Sequence, residues 1–354
     1  MTAASVERSV DELVRQCYLG LDAESLRDEV LRRLRRLVPI DAGFFATVDP
    51  ATLLMTSVLA EEPLATATML FLDNEFGRDD VNKFTALAAS NDPVSSLDRA
   101  TDGDRGSSAR YADVMAPLDL GDELRAAFIS KGRCWGVMCL HRQDSPAGFT
   151  ADDLMLVRRV APHIGEGLRR AVLLHASGGG DGVGAGPGVL LLNDDLSVSS
   201  MNPQAEHWLV ELGGSEGCAT DQLPLPVYAA ARAARGISEA NVHAPSTIRL
   251  RTARGDWLTV YASPMSGSGG AATSLILEPA RPLQLASLFL DAHGLTPAQT
   301  RVAALVLQGR STRQIVNELT ISAHTVQEHL GAVFEKFGIG SRRELVAVLL
   351  GGRG

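Results

Sequence analysis

The last sixty residues constrain the fold more than any other part of the chain, because they carry four closely spaced helix-start signals. Three capping boxes begin at Thr296, Ser311 and Ser341, and Ser322 is placed to cap one more helix. Pro297 stands at the first position of its helix, as prolines prefer. Four short helices with such tight connections are expected to pack as one small all-α bundle.

The second and third of these helices are separated by a three-residue turn, 320–322, which is the connection length of a helix-turn-helix. In that motif the second helix enters the DNA major groove. On the helix expected over 323–337, the residues that share an apolar core face are Val326, Leu330, Val333, Phe334 and Phe337. The residues that face outward are His324, Glu328, Gly331, Ala332 and Glu335, with Gln327 on the flank.

This stretch resembles the LuxR-type C-terminal DNA-binding domain from Leu295 to about Leu350, in one ungapped register. The matching residues are Leu295-Thr296-Pro297, Gln308-Gly309, Ser311, Ile315, Leu319, Ile321-Ser322, Thr325-Val326, His329, Lys336 and Gly338. The resemblance implies that 323–337 is the recognition helix, with Gln327, Glu328 and Gly331 at base edges or nearby phosphates. The DNA-contacting residues predicted in this way are Arg310, Ser311, Thr312, Arg313, Ser322, His324, Thr325, Gln327, Glu328, His329, Gly331, Lys336, Arg342 and Arg343.

The charge of this stretch differs from that of the whole chain, whose formal charge is −9. Residues 295–354 hold seven basic and four acidic side chains, a net charge of +3, so the acidic total describes the other 294 residues. The candidate phosphate contacts are Arg310, Arg313, Lys336, Arg342 and Arg343. The acidic total therefore does not exclude a nucleic-acid partner, but strong non-specific affinity is not expected.

Three positions depart from the pattern of the family. Gln327 stands where lysine is common, Glu328 where a small or basic residue is common, and Thr320 where glycine is common. Fewer basic groups weaken DNA binding and flatten its salt dependence. Glu328 can still accept a hydrogen bond from cytosine, and Gln327 can pair with adenine. The alternative is a signalling adaptor or small-molecule-binding protein whose DNA-binding fold no longer binds DNA strongly.

The rest of the chain is long enough for one or two further domains, since 354 residues predict two or three in all. Seven of the twelve residues over 177–188 are glycine, which indicates a flexible connection. We therefore divide the chain into a sensor domain at 1–176, a Gly-rich linker at 177–187, a second domain at 188–279, a linker helix at 280–294 and the DNA-binding domain at 295–354.

The first block resembles a GAF domain, an α+β small-molecule sensor built on an antiparallel sheet. The resemblance rests on the stretches 132–138 (GRCWGVM) and 149–154 (FTADDL), together with the helix and strand order before them. Strands are expected over 43–49, 53–60, 124–130 and 134–141, and a closing helix over 149–175. The resemblance covers about 25–176 and implies a sensory role.

The second block is similar to an α+β PAS domain. Strands at 188–193 and 197–199 flank the Asp194-Asp195 turn, Asn202 opens a helix, and later strands are expected over 257–263 and 273–278. The middle, 213–245, has no clear signature.

The closing helix of the first block carries a regular apolar seam, formed by Leu154, Val157, Ala161, Ile164, Leu168 and Ala171, with Pro162 inside it. The seam fits a coiled-coil dimer and packing against the domain's own sheet equally well.

Residues that resemble chemical sites do not form a recognisable catalytic constellation. His141, His163, His175 and His207 lack metal-ligand spacing, and Cys134 and Cys139, five residues apart on one strand, are expected on opposite faces. No nucleophile motif, phosphate loop or dinucleotide fingerprint is present. We expect no enzyme activity, metal or cofactor. The ligand-binding candidates are Phe44, Trp135 and Trp208.

Together these features predict a multidomain transcription regulator that acts in the cytoplasm, since no 18-residue apolar run or signal peptide is evident. Its expected partners are double-stranded DNA, an unknown small-molecule effector and a second copy of the chain. RNA polymerase stands as a further candidate partner.

Overall fold

The computed structural model describes residues 3–144, 148–174, 186–213, 223–239, 246–267 and 270–350. The helices are α1 (Ala3–Gln16), α2 (Ala23–Leu34), α3 (Thr68–Gly77), α4 (Phe84–Ala89), α5 (Leu97–Ala100), α6 (Ala151–Leu174), α7 (Pro203–Gly213), α8 (Leu225–Glu239), α9 (Pro282–Ala292), α10 (Pro297–Leu307), α11 (Thr312–Leu319), α12 (Ala323–Phe337) and α13 (Arg342–Leu350). The strands are β1 (Ala42–Val48), β2 (Met55–Ala60), β3 (Val94–Ser96), β4 (Leu120–Ser130), β5 (Arg133–Gln143), β6 (Gly188–Leu192), β7 (Val198–Met201), β8 (Ser246–Arg251), β9 (Trp257–Gly267) and β10 (Gly270–Pro279). No helix in these ranges is long and apolar enough to cross a membrane.

The first unit is an antiparallel sheet in the order β2-β1-β5-β4-β3. Its two faces are covered by different helices: α1, α2 and α6 on one face, and α3 and α4 on the other. Both faces are therefore buried, which explains why β4 and β5 are buried along almost their whole length and do not alternate with polar residues.

The apolar seam of α6 packs against the domain's own sheet. All six seam residues are buried within the chain, and α6 runs through Pro162 without ending. The contacts of α6 are chiefly with β4, and with α2, β5 and α9. The structure therefore favours packing of the seam against the domain's own sheet over a coiled-coil dimer, because a seam covered by its own sheet cannot also pair with a second copy of the chain.

The expectation that Cys134 and Cys139 face opposite sides of β5 is wrong. The pairing of β4 with β5 shifts between Phe128 and Ile129, so that Phe128 lies opposite Gly136 and Ile129 opposite Cys134. This bulge adds a residue at Trp135 and breaks the alternation. Both cysteines consequently belong to the core on the α3 side of the sheet, while Trp135 lies in the core on the α6 side.

The second unit is another antiparallel sheet, in the order β7-β6-β10-β9-β8. The strand order is the same as in the first sheet when each is counted from its own first strand. Helix α8 lies between the two units, packing on α3 and β2 of the first and on β8 and β9 of the second. One hydrophobic core is shared across this junction. The two units are not independent modules. Residues 177–185 of the predicted Gly-rich linker lie outside the described residues.

Helix α9 joins the second unit to the C-terminal helices. Its Phe289 packs edge-on against Trp257 of β9, with ring centroids 6.3 Å apart. At its far end Arg133 of β5 bonds Asp291, and Arg169 of α6 donates to the Ala292 carbonyl. Helix α9 also packs on α10 and α13. It therefore contacts both sheet units and the C-terminal helices.

Candidate functional site

The C-terminal helices begin where the capping residues predict them. Thr296 and Ser311 form reciprocal capping boxes with Gln299 and Gln314, and the Ser322 hydroxyl accepts the Thr325 N–H at 3.0 Å. In the third box the Ser341 hydroxyl accepts the Glu344 N–H, but the Glu344 carboxylate reaches the Gly340 N–H and the Ser341 hydroxyl. Local hydrogen bonding thus fixes the start of each helix.

Helices α11 and α12 are joined by the predicted tight turn. Thr320 ends α11 with φ +55° and ψ +45°, the left-handed conformation. A β-branched residue is strained there, whereas glycine is not, so the physical reason for the family's glycine is visible at this position. The turn is held by packing: Ile315, Val326, Leu330 and Val333 are buried in one core with α10 and α13.

The opposite face of α12 is open to solvent. His324, Gln327, Glu328 and Gly331 are exposed, and a Cβ added at Gly331 would meet no atom within 4 Å. His324 and Glu328 lie one turn apart, with Nε2 and Oε1 separated by 3.5 Å. Thr325 and His329 are half-buried at the edges of this face. A helix with one buried face and one exposed polar face can lie in a groove of DNA.

The predicted phosphate contacts are placed unequally. Arg310, Arg313 and Arg343 are exposed, and the Nε of Arg310 lies 3.8 Å from Oε2 of Glu318. Arg342 is half-buried, and among the described residues its Nε and Nη2 find no hydrogen-bond partner. The Lys336 ammonium donates to the Gly294 carbonyl and to Gln299 Oε1, at 2.7 and 2.8 Å. In this structure, then, Lys336 ties the end of α12 to the start of α10. Ser311 and half-buried Thr312 lie at the N-terminus of α11, where backbone N–H groups favour anions.

The three predicted ligand-binding aromatics do not meet. Phe44 is buried on the α3 side of the first sheet, where its ring lies 4.6 Å from that of Phe71. Trp135 is buried on the α6 side and donates to the Ser130 carbonyl. Trp208 lies in the second unit and donates to the Gly186 carbonyl. Of the three, Trp135 also lines a cavity that is partly open to solvent.

A buried charge network in the first unit was missed by the sequence analysis. Glu123 accepts a hydrogen bond from Arg110 and forms an ion pair with Arg125, and Arg125 donates to Glu75. All four side chains are almost completely buried. The available signal was the presence of three charged residues, Asp122, Glu123 and Arg125, within a stretch otherwise typical of a strand.

His141 and Cys139 adjoin this network, and their ligand atoms and that of Glu123 lie within 4.8 Å of one another. Burial lowers the pKa of His141 to about 4 and raises the pKa of the Cys139 thiol well above its usual range. At neutral pH both side chains are therefore uncharged. His163 bonds the Tyr18 hydroxyl, His207 is exposed, and His175 lies outside the described residues.

The three-residue turn, the buried inner face of α12 and its exposed outer face define a helix-turn-helix DNA-binding unit attached to sensor-like sheet units. The family model of bacterial regulatory proteins of the luxR family matches residues 293–349, and the GAF domain model matches 22–168. The chain is 36% identical over 56 residues to the spore germination protein GerE of Bacillus subtilis (strain 168), a match that spans 16% of this chain and 76% of that protein. The chain belongs to the luxR family of bacterial regulatory proteins and carries a GAF domain in its N-terminal half.

Solved structures show weaker likenesses. The VqsR ligand-binding domain of Pseudomonas aeruginosa has 16% identity and a TM-score of 0.34, covering 49% of this chain and 98% of that one. The Vibrio cholera VqmA–ligand–DNA complex has 19% identity and a TM-score of 0.23, covering 47% and 84%. Likeness at these levels does not bear on ligands or partners.

Proposed function

We propose that this protein is a sequence-specific DNA-binding transcription regulator. A small molecule or partner sensed by the GAF domain and the PAS-like second unit controls its helix-turn-helix. The observation that supports DNA binding best is the geometry of α12. One of its faces builds the core of the C-terminal helices, while His324, Gln327, Glu328 and Gly331 on the other face stay exposed. Those exposed side chains are the groups available to contact base edges.

Selection from a randomised duplex pool by the full-length protein, followed by a salt titration of the selected duplex, tests this function. We expect one recovered motif and a linear fall of log K with log salt. Gln327→Ala should weaken binding to the selected sequence by roughly tenfold, since a bidentate base contact contributes about 1–3 kcal/mol. Recovery of no motif together with salt-independent retention would refute the proposal.

The charge of Glu328 gives a sharper test of groove contact. Glu328→Lys should tighten binding to unselected duplex and relax base choice, because the change replaces a carboxylate near phosphates with a cation. Asp28→Lys on α2 is the matched control, an identical charge change at an exposed position of the sensor domain. Equal effects of the two substitutions would show that only net charge matters and that α12 does not face the DNA.

A second candidate function is a signalling adaptor whose helix-turn-helix no longer binds DNA strongly. It is favoured by two observations: Glu328 places a carboxylate at the exposed face, and the Lys336 ammonium is engaged by Gly294 and Gln299. Under this alternative neither the wild type nor Glu328→Lys would give a sequence motif.

The proposal includes a homodimer, since helix-turn-helix proteins that read two half-sites do so as dimers. The proposed dimer contact does not use the apolar seam of α6, because that seam is buried within the chain. Sedimentation of the complex with the selected duplex measures the stoichiometry, and one protein chain per duplex would contradict this part of the proposal.

A further inference from the structure

A cavity of about 400 Å³, partly open to solvent, lies where both sheet units meet helix α9. Its walls come from α2, the end of β1, β2, β5 and α6 of the first unit, from β8 and β9 of the second, and from α9. Cavities of this volume are in the range of small-molecule sites, which often lie between domains. A molecule held here would contact the sensor domain, the second unit and the connection to the DNA-binding helices at once.

The apolar part of the wall is broad and partly aromatic. Trp135 and Leu168 contribute from the first unit, Trp257 from the second, and Leu288 from α9. Such a wall accommodates the hydrocarbon or aromatic body of a ligand. Because Leu288 belongs to α9, the apolar contact includes the helix that leads to the DNA-binding unit.

The wall holds three acidic and three basic residues, but Asp49 is the one buried acid among them, whereas Arg27 and Arg249 are buried and Arg251 is half-buried. Arg249 is neutralised by buried Asp49. The hydrogen bonds of Arg27, which is only 4% exposed, go to the Phe45 carbonyl and to the carbonyl and hydroxyl of Ser57, all neutral acceptors. Arg251, which is half-buried, donates to the Gly255 carbonyl, also a neutral acceptor.

Buried guanidinium groups normally face carboxylates. Burial lowers the pKa of both Arg27 and Arg251, opposed at longer range by nearby acids. Within the described chain the Nε–H of Arg27 finds no acceptor. The acids Asp22 and Glu24, which also line the cavity, are exposed at the start of α2. The interior therefore favours an anion.

We propose that this cavity binds a small amphipathic organic anion. The acid group lies against Arg27 and Arg251, and the apolar body against Trp135, Leu168 and Leu288. The ligand fixes the position of α9 relative to the two sheet units. This inference rests on the proposed function only for the consequence of binding; the binding itself follows from the cavity.

The test uses full-length protein and the fluorescent anion 8-anilinonaphthalene-1-sulfonate as the probe. Trp135 and Trp257, two of the three tryptophans in the chain, line the cavity. A Trp208→Phe background leaves these two as the energy-transfer donors. We expect one saturable site with quenching of tryptophan emission. N-phenyl-1-naphthylamine, which lacks the sulfonate, should bind at least tenfold more weakly.

Two pairs of variants locate the site. Arg251→Met should weaken sulfonate binding roughly tenfold or more by removing a charged donor, while leaving the neutral probe unaffected. Arg254→Met is its control, since Arg254 is exposed and paired with Glu211. Leu288→Trp should abolish saturable binding by filling the cavity, and Leu283→Trp, on the 60%-exposed position of the same helix, should not. Circular dichroism verifies that each variant folds.

Multiple weak sites, or sulfonate affinity unchanged by both Arg251→Met and Leu288→Trp, would overturn the proposal. DNA binding is measured in parallel on the same preparations. A probe that binds as expected to a protein without DNA affinity leaves the cavity standing and rejects the regulator function. DNA binding without a saturable probe site rejects the cavity alone.

Discussion

The Asp49–Arg249 ion pair is the contact whose loss should most change how the sensor domain meets α9. Arg249 Nε lies 2.7 Å from Asp49 Oδ2, and Nη1 lies 2.8 Å from Ser287 Oγ and 3.3 Å from the Gln284 carbonyl on α9. The side chains are 7% and 1% exposed. One guanidinium therefore connects the first unit, the second unit and the linker helix.

Asp49→Asn keeps the shape of the side chain but removes its charge, leaving Arg249 buried without a counter-ion. Breaking a buried pair in this way costs about 3–5 kcal/mol. If the cost falls on the junction, local opening of α9 becomes roughly 10² to 4 × 10³-fold more frequent, since 1.4 kcal/mol is a factor of ten. Hydrogen exchange of peptides covering 282–292 measures that opening directly.

A double-mutant cycle with Arg249→Met separates the pair from its surroundings. The double variant should be less destabilised than the sum of the single variants, because neither charge is then left alone. Arg254→Ala breaks the Arg254–Glu211 pair, whose arginine is 70% exposed, and should change exchange by less than about 1 kcal/mol. Single variants with exchange at wild-type rates would refute the reasoning that this pair holds α9.

Three further predictions concern single residues. Thr320→Gly should stabilise the C-terminal helices by about 1 kcal/mol in thermal unfolding, because it removes the strain of the left-handed conformation. Thr320→Ala keeps a Cβ and should therefore stabilise them less. A lower melting temperature for the glycine variant would contradict this prediction. Gly331→Ala should stabilise α12 by about 1 kcal/mol, because the added Cβ meets open space. The same substitution should weaken binding to the selected duplex in an anisotropy titration. Unchanged affinity would show that this face of α12 does not contact DNA. His141, facing Glu123, Arg110 and Arg125, has its pKa lowered by burial to about 4, so the folded state resists protonation and stability falls as pH drops from about 6.5 toward 4. We expect about 2 kcal/mol less stability at pH 5 than at pH 7 in urea unfolding, a difference that His141→Gln should abolish; an equal loss in that variant would assign the effect elsewhere.

The parts of the fold that follow from local chemistry were predictable from the sequence. Ser311 and Ser322 start helices because their hydroxyls satisfy backbone N–H groups within the same turn. The exposed positions of α12 follow from the 3.6-residue period of an α-helix, since its apolar residues occupy the opposite face. Short strands without a local signature, β3 (Val94–Ser96) and β8 (Ser246–Arg251), were missed, because their position depends on pairing with distant strands.

Long-range geometry also explains why the sequence predicted the faces of Cys134 and Cys139 wrongly and did not indicate the cavity. The bulge that places Cys134 and Cys139 on one face arises from the pairing of β4 with β5, which strand periodicity alone does not reveal. The cavity between the units depends on contacts such as Asp49 with Arg249, two hundred residues apart. No local sequence pattern predicts a pocket whose walls come from the first unit, the second unit and α9.

The contacts at the C-terminal end of α9 determine what a signal could move. The pair Arg133–Asp291 and the bond from Arg169 to the Ala292 carbonyl hold the end of the helix on the first unit. Immediately afterwards, the His293 ring stacks on Phe337 at the end of α12, with centroids 3.8 Å apart. Lys336 bonds the Gly294 carbonyl beside it. Ala292 of the first set and His293 of the second are consecutive residues. Since no intervening chain can absorb a shift of α9, such a shift must either break the first set of contacts or carry the C-terminal end of α12 with it.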